Sequence, residues 1–179
     1  MMIPFYALAV PQLLNAKGID SAWVPALMTM GQISEFPALL LLGLLRRSLG
    51  IKRIFELGIL AWVVRYAMFA VNGPVWLTLA GVSLHGICHV FLIVVVQLYV
   101  DQTCPRDTRA SAQNLFGLVT LGIGMPLGFL ASGYLGQLCA ISHLELARYE
   151  LFFGVPAFVL CLIFWIFRSR CNLSADPQF

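Results

Sequence analysis

Residues 21–45 read Ser21-Ala22-Trp23-Val24-Pro25-Ala26-Leu27-Met28-Thr29-Met30-Gly31-Gln32-Ile33-Ser34-Glu35-Phe36-Pro37-Ala38-Leu39-Leu40-Leu41-Leu42-Gly43-Leu44-Leu45. Glu35 is the only ionisable residue between Asp20 and Arg46. As a helix this run is roughly 37 Å long, enough to cross a hydrocarbon core of about 30 Å. The stretch therefore reads as a membrane span with an acid near its middle. An acidic charge at the bilayer centre costs on the order of 2.5–3.5 kcal/mol even on lenient scales. Lipid offers a carboxylate nothing to offset that cost, so Glu35 is expected to face inward, onto a polar cavity. Gln32 lies three residues earlier and shares its helix face. An acid and an amide on one intramembrane face point to a site for a polar solute or a proton.

The composition agrees with that reading. Of 179 residues, 60% are hydrophobic and 11% charged, against about 25% charged in soluble domains. Mean hydropathy is +0.89. The apolar runs are long and continuous, which argues for spanning helices rather than a barrel of alternating strands. The expected fold class is all-α membrane protein. The net charge is only +3, and Lys and Arg sit at the ends of apolar runs, so no nucleic-acid partner is expected. Cys88, Cys104, Cys139, Cys161 and Cys171 are scattered, odd in number and without a C-x-x-C pair; they read as small buried or loop residues. The first basic residue is Lys17, so the charged start of a secretory leader is missing.

Along the chain, Ile3–Leu14 is apolar but too short to span, and reads as the tail of a helix (residues 1–14) whose beginning is absent. Five full spans are expected within residues 21–168: Ser21–Leu45, Ile54–Val71, Val75–Val100, Ala110–Ala140 and Leu151–Phe167. Pro25 and Pro37 predict bends in the first. Gly122, Gly124, Pro126, Gly128 and Gly133 make the fourth bendable and closely packable. Residues 46–53 are expected to form a short basic loop, Asn72-Gly73-Pro74 a tight turn, 101–109 a charged loop, 142–150 a polar loop and 169–179 a polar tail.

The loops after spans one and three, with the tail, hold Arg46, Arg47, Lys52, Arg53, Arg106, Arg109, Arg168 and Arg170, while the opposite loops hold Lys17 and Arg148. Eight against two places the basic loops and the C-terminus in the cytoplasm. Five helices and a stub are an odd unit, and a six-helix half of a larger transporter is one natural parent.

Gly43-Leu44-Leu45-Arg46-Arg47-Ser48-Leu49-Gly50-Ile51-Lys52-Arg53 resembles the G-x-x-x-[DR]-x-x-G-x-[RK]-[RK] loop of the major facilitator superfamily. Gln32-Ile33-Ser34-Glu35, Ala61-Trp62-Val63-Val64-Arg65-Tyr66-Ala67-Met68-Phe69-Ala70 and Arg109-Ala110-Ser111-Ala112-Gln113 look like the C-terminal half of the bacterial nucleoside:proton symporters. The resemblance covers nearly the whole chain. It implies that residues 21–45 are helix eight, that the stub ends helix seven, and that the protein takes up nucleosides with protons across the bacterial inner membrane. It also implies that Gln32 and Glu35 contact the nucleoside. The chain departs from the family in carrying His85 and His89 where aromatic residues line the helix-ten binding region. It also lacks the N-terminal six-helix half, so it holds one wall of a two-walled cavity.

The candidate substrate-binding residues are thus Gln32, Glu35, His85 and His89, with Glu35 also the proton-coupling group. The plainer alternative for Glu35 is a structural carboxyl bonded to a neighbouring helix. His85 and His89 share one helix face and either line the cavity or pack between helices; Cys88 beside them makes a metal conceivable, but no second ligand cluster accompanies them. Arg65, inside a span, is expected to pair with an acid, snorkel or support a gate. Asp101 and Arg109 read as gate salt-bridge partners or as solvated loop charges. Gln97 and Gln113 are weaker cavity candidates. No cofactor, metal or enzymatic constellation is expected. The alternatives to nucleoside transport are a truncated, non-transporting membrane fragment and a facilitator for another small polar solute such as a sugar.

Overall fold

The computed structural model describes residues 2–71, 73–139 and 146–170. Helix α1 (Ile3–Ala16) is followed by α2 (Val24–Ile33) and α3 (Glu35–Ala70). Then come α4 (Val75–Ser83), α5 (His85–His89), a π-helical stretch Val90–Val94 and α6 (Val95–Thr103), which together form one rod. Helix α7 (Arg106–Gly117), a second π-helical stretch Leu118–Gly124 and α8 (Met125–Cys139) form the next, and α9 (Leu146–Arg170) completes the set. The tail beyond Arg170, Cys171 included, and residues 142–145 of the predicted polar loop lie outside the described residues, and residues 146–150, expected as loop, are the start of α9.

The predicted basic loop at 46–53 is helical but for one residue. Gly50 has φ 73 and ψ 162, a left-handed conformation that glycine adopts without steric cost. The charged residues on either side stay helical, because a helix satisfies its own backbone groups and need not unwind where the apolar run ends. Side-chain pairings show that the chain doubles back at Gly50. Before it, a Cβ added at Gly31 would meet Val82, and Gly86 approaches Ser34, so this arm runs parallel to the 75–103 rod. After it, Gly58 meets Phe91, Trp62 bonds to Cys88 and Arg65 to Gly81, so the second arm runs antiparallel to that rod. Helix α9 lies antiparallel along this second arm, with Phe167 on Phe55 and Phe153 on Tyr66 and Phe69.

Two of the bends follow from prolines, whereas Pro25, where a bend was expected, stands in the first turn of α2, which suits proline, and Pro11 and Pro156 lie within continuous helices. Pro37 lacks an N–H and its ring crowds the carbonyl of Ile33, and the helix breaks at Ser34 between α2 and α3. Pro126 does the same to Gly122, which lies in the second π-helical stretch. The facing rod also breaks, at Leu84 between α4 and α5. The two irregular points meet at Ser34 and Gly86.

Burial is inverted relative to a soluble protein. In the four long apolar helices, Val24–Ala70, Val75–Thr103, Arg106–Cys139 and Arg148–Arg170, only 17–39% of the most apolar window is buried. Leu40, Leu44, Leu121, Leu130, Phe158 and Trp165 are exposed. A continuous apolar exterior of this kind is at home in lipid, and the chain is an all-α membrane protein. Inside, α1 contributes Tyr6, Val10, Leu13 and Leu14 to a core with Trp62, Tyr66, Phe69, Phe152 and Phe153. Gly128, Ser132 and Gly136 are buried at four-residue spacing on α8, which packs against α1; small residues in that pattern let helices approach closely.

The fold also sorts the charges. The Gln102 amide, turned so that its oxygen faces Arg46, accepts from Nη2 at 2.7 Å and Nη1 at 3.1 Å. That joins the Gly50 turn to the end of α6, and Phe55 on Phe167 brings the end of α9 to the same side. Lys17 lies at the opposite end, where its Nζ donates to the Gly73 carbonyl at 2.5 Å.

Candidate functional site

The site begins with a close approach of two backbones. Gly86 N–H donates to Ser34 Oγ at 2.9 Å, and Ser34 Oγ donates to the Gly31 carbonyl at 2.5 Å. A Cβ at Gly86 would lie 2.2 Å from the carbonyl carbon and oxygen of Ser34 and 2.5 Å from Glu35 N. Only glycine fits. This contact brings the first residue of α3, Glu35, alongside both ends of α5, His85 and His89.

Glu35 Oε1 lies 3.5 Å from His85 Nε2 and 3.3 Å from His89 Nδ1. His85 Nδ1 lies 3.0 Å from Arg65 Nη1. Arg65 also donates through Nε to the Gly81 carbonyl at 3.0 Å. It is fully buried, with its guanidinium carbon 3.9 Å above the Tyr6 ring and 5.3 Å from that of Trp62. The charges of Glu35 and Arg65 are thus linked through an imidazole rather than in direct contact. Nε and Nη1 donate while Nη2 has no hydrogen-bond partner, and the aromatic faces around the guanidinium offset part of the cost of burying it. The rings of Tyr6, His85 and His89 stack in a column, at 5.6 Å and 5.8 Å centroid spacing. Glu35 and His89 side chains remain 30% and 31% exposed, so the column and the carboxylate open to the surface at one end.

The structure therefore brings together Glu35, His85, His89 and Arg65, all singled out in the sequence. Gln32, one turn before Glu35, is exposed. Asp101 and Arg109 form a separate, partly exposed ion pair at 3.3 Å, between α6 and α7. Gln113 joins them there, donating from Nε2 to the Gln97 carbonyl at 2.8 Å, so these two glutamines sit with the Asp101 pair and not with Glu35. No group of three His, Cys, Asp or Glu among the described residues is placed to hold a metal ion. Cys88 is buried, and its backbone carbonyl accepts from Trp62 Nε1 at 3.0 Å.

Sequence reasoning missed Ser34, Gly86 and Tyr6. Gly86 carried a usable signal: a glycine between two polar residues of one helix face marks a place where another backbone can come close. Tyr6 carried none, because it lies in a short segment whose partners are set only by packing.

A family model described as nucleoside H+ symporter matches residues 2–172. YegT of Escherichia coli (strain K12), named as a candidate nucleoside transporter, is 32% identical over 140 residues, covering 74% of this chain and 32% of YegT. The nucleoside permease NupG of the same strain is 31% identical over 111 residues, covering 60% of this chain and 27% of NupG. The xanthosine permease of that strain is 24% identical across 85% of this chain and 37% of its own length. Two crystal structures of the nucleoside transporter NupG, one of a mutant, superpose with TM-scores of 0.72 and 0.70 at 23% and 22% identity. They are covered to 42% and 47% by 88% and 95% of this chain. The chain thus shares the helical fold of part of that transporter, and spans about a third of the length of the curated relatives it matches.

Proposed function

Because this chain belongs to the nucleoside H+ symporter family, we propose that it supplies the C-terminal wall of a transporter that carries nucleosides across a bacterial inner membrane together with protons. The observation that carries this reading is Glu35. It is an acid in the middle of an apolar span, half-open to the surface, held between two imidazoles with an exposed amide one turn away. Carboxylate and amide suit the hydroxyls and ring edges of a nucleoside. The end of the ring column at His89 suits a base, which stacks on flat faces. In this reading the Glu35 carboxylate, at the open end of the ring column, is the group that couples transport to a proton gradient.

In this reading, residues 1–14 belong to the seventh helix and residues 21–168 to helices eight to twelve of a two-halved bundle. An N-terminal six-helix half closes the cavity, and transport proceeds by rocking of the halves around Glu35. The basic end, with Arg46, Arg47, Lys52 and Arg53, faces the cytoplasm. Arg65 and the Asp101–Arg109 pair serve structure and gating, and no chemical catalysis takes place.

The test is uptake of labelled uridine in cells lacking their own nucleoside permeases. Residues 1–179 alone are expected to give none. Joined to the N-terminal half of a nucleoside symporter, they are expected to give saturable, proton-driven uptake. In that full-length form Glu35→Gln lowers uptake at least about tenfold, or about 1.4 kcal/mol, and flattens its pH dependence. Unchanged rate and pH profile at normal membrane levels would make the carboxylate structural and overturn the reading.

A further inference from the structure

The two imidazoles beside Glu35 are not equivalent. A guanidinium has donors and no acceptor, so His85 Nδ1, 3.0 Å from Arg65 Nη1, must accept. The single N–H of His85 is then on Nε2, the nitrogen 3.5 Å from Glu35 Oε1. Nδ1 is committed to the cation, Nε2 faces the carboxylate from slightly farther than His89 Nδ1 does, and the ring stacks on Tyr6. Adding a proton to His85 would turn Nδ1 into a donor aimed at a donor, and would place a cation beside Arg65.

His89 carries no such lock. Its Nδ1 lies 3.3 Å from the same Glu35 oxygen, yet it is buried without a well-aligned hydrogen bond. The separation is that of a loose pair, which a proton between the two atoms would tighten. The rest of the ring is open enough to exchange with water, at 31% exposure. Among the described residues, His85 on α5 lies against both members of the pair, and Arg65 on α3 and Tyr6 on α1 lie against His85. Arg65 reaches the carboxylate only through His85.

We propose that His89, paired with Glu35, takes up the transported proton, while His85 is a positioning residue that Arg65 holds in one tautomer. The proton arrives from water, binds between His89 Nδ1 and Glu35 Oε1, and returns to water on the other side; no other bond forms or breaks. Without the proton, Arg65 and Glu35 balance each other in charge. With it, the site carries one positive charge and the carboxylate is engaged by His89. The proposal rests on the proton-coupled reading above, but it assigns the proton to a ring that was expected to bind substrate.

The experiment is magic-angle NMR on the full chain in lipid bilayers, with histidine labelled in nitrogen and carbon. Ring shifts separate the charged state and the two neutral tautomers. Signals are assigned with His85→Gln and His89→Gln. Between about pH 5 and 8, His85 is expected to stay neutral with its proton on Nε2, and His89 to change state. Glu35→Gln is expected to weaken proton binding at His89 at least about tenfold, by removing the neighbouring anion, and Glu35→Asp to weaken it less. A His89 that keeps one state across the range in the parent chain, or a His85 that titrates in its place, overturns the proposal. So does a Glu35→Gln chain whose His89 titrates as in the parent. Should Glu35→Gln fail to fold, the parent spectra alone decide. No nucleoside is present, so failure here is separate from failure of the nucleoside reading, which the uridine uptake of the joined protein measures.

Discussion

Gly86→Ala tests the contact on which the site is built. A methyl at this position would sit 2.2 Å from the Ser34 carbonyl, where ordinary contact begins at about 3.4 Å. The obstacle is backbone, so it cannot swing aside as a side-chain tip would. The two helices must part locally by more than about 1 Å. That breaks the 2.9 Å bond from Gly86 N to Ser34 Oγ and carries the 3.3 Å Glu35–His89 contact past the reach of an ion pair. Overpacking of this kind costs about 1–3 kcal/mol. The gain in helix propensity from Gly to Ala, about 1 kcal/mol, opposes it. The displaced groups are rigid backbone, which puts the steric cost in the upper part of that range, about 2–3 kcal/mol, and leaves a net loss of about 1–2 kcal/mol. Thermal unfolding in detergent, followed by far-UV circular dichroism, should then show a midpoint lower by about 2–8 °C. Gly43→Ala is the control: nothing lies within 4 Å of a Cβ there, so only the propensity gain acts and the midpoint should hold or rise. A Gly86→Ala chain as stable as the parent, with the Glu35–His89 contact intact by NMR, would refute the close approach and the site built on it.

Arg65→Met keeps length and apolar bulk but leaves the Gly81 carbonyl and His85 Nδ1 without their donor, for an expected loss of about 1–3 kcal/mol in the same melt. Arg65→Lys should recover less than half, since an ammonium lacks the planar fork that serves both acceptors; full recovery would mean that charge alone matters there. A topology reporter fused after Phe179 should be active only in its cytoplasmic form, and activity on the outer face would reverse the orientation and the helix numbering.

Periodicity, length and charge were enough to read much of this protein. Apolar runs long enough for a bilayer can only be helices or closed barrels, so the spans were legible as composition. A lone acid among twenty-odd apolar residues marks itself, and the structure places Glu35 beside His85 and His89. His85 and His89 share a face by spacing alone. The basic stretch expected as a loop at 46–53 located the reversal, though not the single glycine, Gly50, that makes it. What the sequence does not carry is which face of one helix meets which face of another. Arg65 was expected to pair with an acid, snorkel or support a gate, and it meets an imidazole that stands between it and Glu35. The basic stretch at 46–53 was expected to be loop and is helix on both sides of one glycine.

The difference between His85 and His89 is the clearest case. By sequence they are the same residue, one turn apart. Tertiary packing puts Arg65 and Tyr6 against the first and leaves the second loosely held beside the same carboxylate. Helical geometry is local and repeats every few residues, so a sequence determines it. The register between helices is set by interlocking side chains from segments dozens of residues apart, as when Gly86 admits Ser34. That register, which exists only once the helices are packed, decides which histidine meets Arg65 and which lies at the open end beside Glu35.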